Sequence, residues 1–363
     1  MRYPPLLILL LVSCALLLPA CQTREHVTLV STQDDAIRSP AQVVSETTRS
    51  AATAIINTLT DEQKQLALHD IKAPLRKDWH FIPRERKGLM LGDMTADQKK
   101  LVHNLMQTAL SDSGYLKATD IIWLETILYE MSNQAPFRDP GKYGLVIFGD
   151  PADEAAAWGW RLEGHHLSIN LTYTAEDVGV TPLFFGANPA VVPDGPLAGK
   201  RVLADTHNLA VELAKSMDDA QRKKMLLEGK PRDVITGPGR ELSLDADEPR
   251  AGIDLHFFGT QQQVDMVNRL VGLHLYKNLE HNHMTVGIRK MSSKSAPGDH
   301  QLMFAWAGPI DADKPFYYRI QSSGLLVEYS CQGKNHVHCV VHDLTDPLQE
   351  DLLRQHYENH EHE

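Results

Sequence analysis

Basic residues are scarce and nowhere clustered. The chain carries 36 Lys and Arg against 47 Asp and Glu, a formal net charge of −11 over 363 residues. Binding to nucleic acid depends on a basic stripe that meets the phosphates, so nucleic acid is excluded as a partner. Cysteine is also scarce. Of four, Cys14 and Cys21 lie at the N-terminus, and only Cys331 and Cys339 are left to a folded domain. Long apolar runs are missing too. The longest, Leu6 to Leu18, falls short of the ~20 residues a membrane span needs. There is no Gly-x-Ser-x-Gly elbow, no His-Glu-x-x-His helix and no phosphate loop, which disfavours serine hydrolases, thermolysin-like proteases and P-loop nucleotide hydrolases.

The short apolar run follows the single charge of Arg2 and ends in Leu18-Pro19-Ala20-Cys21, the layout of a secretory signal. A Cys directly after a small residue resembles the lipobox of bacterial lipoproteins. That resemblance implies cleavage before Cys21, acylation of Cys21 and attachment to a membrane. Gln22 rather than Asp after the Cys implies the outer membrane, with the protein facing the periplasm. Residues 21–55 are rich in Thr, Ser, Gln and Ala and read as a flexible tether. Residues 56–358 are long enough for one large domain, and 359–363 read as a frayed tail.

Capping boxes at Thr60–Gln63 and Thr95–Gln98 open helices, and Asp120–Met131 carries a helical apolar stripe. Further helices are expected over about 202–228, 260–278 and 348–357. Period-two segments begin near Tyr143. In Trp158–Tyr173 the phase flips at Gly164-His165, which requires a bulge or tight turn. Strands are expected at 301–307, 315–321, 324–330 and 336–342. Helices before and between antiparallel hairpins make this an α+β domain with a mostly antiparallel sheet and an N-terminal helical part.

Three constellations carry candidate chemistry. In Asn335–Asp343 the even-numbered residues His336, His338, Val340 and His342 share one strand face, and Val337, Cys339 and Val341 share the other. A strand that is apolar behind and imidazole-rich in front points to metal binding or proton transfer. Pairing Leu325, Val327 and Tyr329 with Val341, Cys339 and Val337 sets Glu328 opposite His338. The same register leaves Cys331 in the turn, beyond the ~7 Å Cα limit for a bridge to Cys339, so Cys339 reads as a core residue in preference to a disulfide partner. Glu163-Gly164-His165-His166 sets three ligand-type residues at a strand end, though ordinary hydrogen-bonded histidines would look the same. Arg319 and Gln321 share one face of a strand and could bind an anion or form a cross-strand ion pair. Arg76, Arg84 and Arg86 read as exposed loop arginines, His207, His256 and His274 as structural, and His281 and His283 as part of a polar loop.

These residues, together with Trp160–Asn170, Phe184–Pro189, Phe304–Gly308, Tyr318–Gln321, Glu328-Tyr329, Asn335–His338 and Asp351–Tyr357, resemble the bacterial domain-of-unknown-function family numbered 3500 over roughly 75–357. The resemblance implies one site drawn from Glu163, His165, His166, Arg319, Gln321, Glu328, Asn335, His336, His338 and His356, and implies no reaction. Two positions depart from the family's pattern. A hydroxylic residue is expected at Cys339 and an Arg at His342. The reading is an envelope lipoprotein with a divalent-metal site, zinc first and copper second, that could be hydrolytic. His165, His166, His336 and His338 are its candidate ligands, Glu163 and Glu328 its catalytic carboxylates, and Arg161, Asn170, Arg319, Gln321, Asn335 and His356 its binding residues. The alternatives are a non-catalytic binding protein for a metal or small anionic ligand, and an envelope scaffold with a buried neutral His pair.

Overall fold

In the period-two segments, alternate residues fall on two faces that are both buried. The computed structural model describes residues 40–238, 251–281, 283–284, 302–333, 335–346 and 348–359. Among these, twelve strands form one sheet and eight helices pack around it. The helices are α1 (Pro40–Ile56), α2 (Asp61–Ala67), α3 (Ala96–Ala109), α4 (Asp112–Met131), α5 (Ala204–Ser216), α6 (Asp219–Met225), α7 (Gln261–Val271) and α8 (Glu350–Asn359). The strands are β1 (Leu68–His69), β2 (Leu89–Met90), β3 (Gly144–Phe148), β4 (Trp158–Gly164), β5 (Leu167–Tyr173), β6 (Val178–Gly179), β7 (Leu183–Ala187), β8 (Ile253–Asp254), β9 (Met303–Ala307), β10 (Phe316–Gln321), β11 (Leu325–Cys331) and β12 (Val337–Asp343). The sheet order is β1-β3-β4-β5-β7-β12-β11-β10-β9-β8, with β2 on β3 and β6 on β5. Only β1 runs parallel to its neighbour, and the fold is α+β.

One face is apolar throughout. Trp158, Trp160, Ile169, Phe185, Val341, Val327, Tyr318 and Trp306 all join the main core under the helices. Each aromatic or branched side chain buried there contributes a few kcal/mol by leaving water. The opposite face carries Arg161, Glu163, Asn170, Arg319, Gln321, Glu328, His338 and His342, and these are buried as well. Polar groups tolerate burial only with partners. The loops that cover this face supply them. Trp79, Phe81 and Val234 make a small apolar cluster there with Phe184 and Val340, and α8 covers the far end through Leu353.

Two carboxylates anchor those loops. Glu328 accepts from the backbone N–H of Ile235 and of Thr236, both at 2.9 Å, from the Thr236 hydroxyl, and from the Tyr317 hydroxyl at 2.7 Å. Glu163 accepts from the His80 N–H at 2.8 Å and lies 3.3 Å from Arg161 Nε and 3.7 Å from Arg86 Nε. Burial pushes the Glu163 carboxyl above its ordinary pKa, against the pull of the two guanidiniums.

Several expectations need correction. Residues 40–55 are not tether but form α1, which buries Val44, Ala52 and Ile55 against the core. The β11–β12 register slips by two residues, pairing Val327 with Val341 and Cys331 with Val337. A two-residue slip preserves both faces, which is why the alternation cannot detect it. It places Ser330, not Glu328, opposite His338 and brings Cys331 into the strand, and both cysteines are free and buried. The 202–228 helix breaks at Met217, and Asp218 starts α6 with its own capping box. Ser111 caps α4 earlier than expected, with Gly114 in its first turn. A Cβ on Gly114 would fall 2.0 Å from the Asn278 carbonyl. Cys14, Cys21 and the 360–363 tail lie outside the described residues.

Replacing Glu328 with Ala would orphan two buried amides and a tyrosine hydroxyl, each worth about 1–3 kcal/mol. We expect Glu328→Ala to lower stability in urea unfolding by roughly 3 kcal/mol or more. A loss near that of an average surface substitution would show that the 235–236 loop is held by something else.

Candidate metal centre

The β4–β5 hairpin turns in two residues, His165 and His166. Gly164 makes the turn possible, since a Cβ there would sit 2.1 Å from the Tyr143 ring, whose hydroxyl donates to the His165 carbonyl at 2.8 Å. His166 takes a left-handed backbone, φ 62°, uncommon for a non-glycine residue. Two hydrogen bonds hold it there: its N–H donates to the Phe81 carbonyl at 2.9 Å, and its carbonyl accepts from Gly186 N–H at 2.7 Å. Gly186 stands opposite His338 in β7 and has no side chain to block the His166 ring. A Cβ there would come within 3.1 Å of His166 Cδ2.

The turn thus delivers His166 to the start of β12. His166 Nε2 lies 2.8 Å from His336 Nε2 and 3.2 Å from His338 Nε2. The three rings form a group that could hold a metal ion, with His166 and His338 buried and His336 half-buried toward solvent. His338 Nδ1 lies 2.7 Å from Asp233 Oδ1. A carboxylate there accepts the Nδ1 proton and leaves Nε2 bare, which is how outer carboxylates orient metal-binding imidazoles. Phe81 sits edge-on to His338 at 4.8 Å and stacks on Phe184 at 4.0 Å. Burial depresses the His166 pKa well below its ordinary value, helped by the neighbouring imidazoles, and brings His336 down to about 4. Both are therefore neutral at pH 7, with lone pairs available for a cation.

A family model described as a protein of unknown function, DUF3500, matches residues 41–347. The chain belongs to this family. No curated protein and no solved structure matches it.

The candidate site residues collect on the polar face and at its His end, but they do not form one site. His165 stacks on His166 at 3.7 Å, yet its Nδ1 is bonded to the Glu125 carboxylate, with Arg138 within 3.0 Å of the ring nitrogens. It is therefore outside the converging trio. Glu163 and Glu328 lie in one transverse row, Glu163–Ser168–Phe184–Val340–Glu328, four strand spacings of about 4.8 Å apart. Both are committed to loop anchoring, and neither belongs to the group whose ligand atoms converge. Arg161 donates to the Leu75 carbonyl at 3.1 Å, and Asn170 donates to Ser168 Oγ and the Pro182 carbonyl. Arg319 is fully buried beside its strand partner Glu328, with Gln321 buried further along β10. Asn335 accepts from Ala190 N–H at 3.0 Å through its carbonyl and from Val191 N–H at 3.2 Å through Oδ1. His356 is buried in α8, 3.5 Å from the Glu176 carboxylate. His342 faces the covering loop, where its Nε2 donates to the Thr236 carbonyl at 2.9 Å, and Trp79 packs edge-on to it.

Other expectations change as well. Arg86 is buried, donating to the Gly164 carbonyl at 2.9 Å, and Arg76 is buried against α8. His283 is fully buried, with its Nε2 2.9 Å from the Tyr173 hydroxyl. His207 and His274 are buried with tyrosine partners, as structural histidines would be. Sequence reasoning misses Asp233, Phe81 and Glu125. Asp233 sits in the irregular Lys230-Pro231-Arg232-Asp233 stretch, and no periodicity announces it.

Burial holds two further histidines neutral, bringing His274, with help from the Lys117 charge, down to about 3 and His342 down to about 4. An unfolded His binds its proton near pH 6.5, so between about 6.5 and 4 the unfolded chain holds more protons and stability falls as pH falls. We expect the urea midpoint to drop steeply over that window. In His342→Phe the slope should be shallower, by up to about 1.4 kcal/mol per pH unit. An unchanged slope would mean that His342 is not neutral in the native state.

Proposed function

We propose that the chain is an envelope metalloprotein in which His166, His336 and His338 hold one transition-metal ion, zinc first and copper second, and that it works as a metal-dependent hydrolase. The observation that carries this reading is the convergence of three imidazoles with Asp233 behind one of them. His166 Nε2 lies 2.8 Å from His336 Nε2 and 3.2 Å from His338 Nε2, and a cation placed there would be shared by all three rings. Nitrogens bound tetrahedrally at about 2.0–2.1 Å from zinc stand roughly 3.3 Å apart, near the two separations from His166 Nε2. Nitrogen donors suit zinc and copper. Three protein ligands leave a fourth position, and the half-buried His336 lies on the side from which a substrate could reach it. Bound zinc would supply an acidified water and a Lewis acid for a carbonyl or phosphoryl group.

A second reading, a metal carrier without turnover, gains from one observation. Glu163 and Glu328, the carboxylates expected to act as bases, are both tied to loops. A lipid anchor at Cys21 and an outer-membrane location facing the periplasm belong to the same proposal. They rest on the short apolar run and the Leu18–Cys21 stretch.

Elemental analysis of residues 22–363, purified without a His tag, should find about one equivalent of zinc or copper. His336→Ala/His338→Ala should lose it, and Asp233→Asn should weaken metal affinity roughly 10–100-fold. Equal metal content in wild type and the double variant would sink the metal centre. Hydrolysis of activated esters or phosphoesters that stops on chelation and in the double variant would select the hydrolase, whereas tight metal without turnover would select the carrier. For the anchor, metabolic labelling with radioactive palmitate should mark the full chain and fail in Cys21→Ala. Equal labelling of both would remove Cys21 from the proposal.

A further inference from the structure

A cavity of about 510 Å³ lies on the helix side of the sheet, and Asn335 and Val337, the neighbours of His336, form part of its wall. Its volume falls within the range of small-molecule sites. No atom of the imidazole trio lines it, and its chemistry is independent of the metal reading. Val191, Pro193, Leu203 and Val337 give it an apolar body, and two opposite charges, Arg201 and Asp313, also line it. Among the described residues, neither charge makes an ion pair, with the other or with any third group.

α5 contacts Arg201 and the turn that precedes Asp313. Arg201 donates to Asn208 Oδ1 at 3.0 Å. His207 Nε2 lies 3.0 Å from the Ala312 carbonyl, and its Nδ1 lies 3.0 Å from the Tyr329 hydroxyl. A carbonyl can only accept, so Nε2 carries the proton. The bare Nδ1 then accepts from Tyr329. This pair of bonds fixes the turn that carries Asp313. Both charges act on His207: burial and Arg201 depress its pKa, and Asp313 opposes them. A cation and an exposed anion thus both line the edge of an apolar chamber.

That arrangement selects a ligand class. A dianion such as phosphate would meet one guanidinium offset by a carboxylate. A simple fatty acid would leave Asp313 unanswered, and an amine would leave Arg201 unanswered. We infer that the cavity is a binding site for a small zwitterion with an apolar side chain, a free apolar α-amino acid, whose carboxylate pairs with Arg201, whose ammonium pairs with Asp313 and whose side chain enters the chamber. Asn335 ties the 190–191 wall to the segment that leads through His336 into β12, so the two sites share a structural strip.

The test is isothermal titration calorimetry of residues 22–363 with L-leucine and L-phenylalanine. The half-analogues 4-methylpentanoate, which lacks the ammonium, and isoamylamine, which lacks the carboxylate, are titrated beside them. At least one amino acid should bind, and each half-analogue should bind about tenfold more weakly or worse, the loss of one charged pair. Arg201→Gln and Asp313→Asn should each weaken the amino acid by a similar factor, and Val191→Trp, which puts an indole into the cavity, should abolish binding. Thermal melts of each variant confirm that the fold survives. No binding of either amino acid, equal binding of 4-methylpentanoate, or unchanged binding in folded Arg201→Gln would each overturn the proposal.

Discussion

The burial of a polar sheet face is the constraint on which the rest of this structure depends. A sheet with one apolar face can leave the other to water. Here the second face is covered, so each Arg, Glu, Asn and His on it must find a partner inside the protein. Glu163 and Glu328 take backbone amides from the 79–81 and 235–236 loops, and so the charges that most need partners hold down the chain that buries them. Those loops then deliver Phe81 and Asp233 to His338. The imidazole trio therefore depends on carboxylates that do not touch it.

A second dependence runs through small residues. His166 reaches His336 and His338 because Gly164 admits the Tyr143 ring beneath the hairpin and Gly186 leaves space on β7. Its left-handed backbone is a local cost of order 1 kcal/mol or more, offset by the two backbone bonds to Phe81 and Gly186. A residue held in an uncommon conformation by its surroundings is what a site built for geometry would show. The same His in an ordinary strand would point elsewhere.

Much of this is legible in the chain. Period-two alternation locates the strands of the second half to within about two residues, and the capping boxes at Thr60 and Thr95 open the helices that the structure shows. The even-numbered histidines share one face as expected, because side-chain parity is local. Register is not local. A two-residue slip costs the alternation nothing, so pattern alone sets Glu328 opposite His338 when its strand partner is Val340. The weak helical signal before Ser45 hides α1, whose burial against α3 comes from tertiary packing and not from its own sequence pattern. Asp233 cannot be found at all, because a loop residue acquires its partner only when the loop closes. The same holds for Glu125, which captures His165 across forty residues.

The capture of His165 sharpens the electrostatic argument about the centre. A site built from four imidazoles and two carboxylates, as the sequence suggests, would bury two negative charges beside the rings and would pull their pKa values up. The structure instead diverts Glu163, Glu328 and Glu125 to other partners and keeps a single carboxylate, Asp233, at the back of one ring. His166 and His336 are left neutral, their pKa values depressed by burial and by the neighbouring imidazoles. Uncharged imidazoles cost little to bury without a cation, whereas a buried trio of carboxylates would be prohibitive. Such a site can be assembled by folding first and charged by its ligand afterwards. On a chain whose formal charge is −11, the surrounding field favours a cation as that ligand.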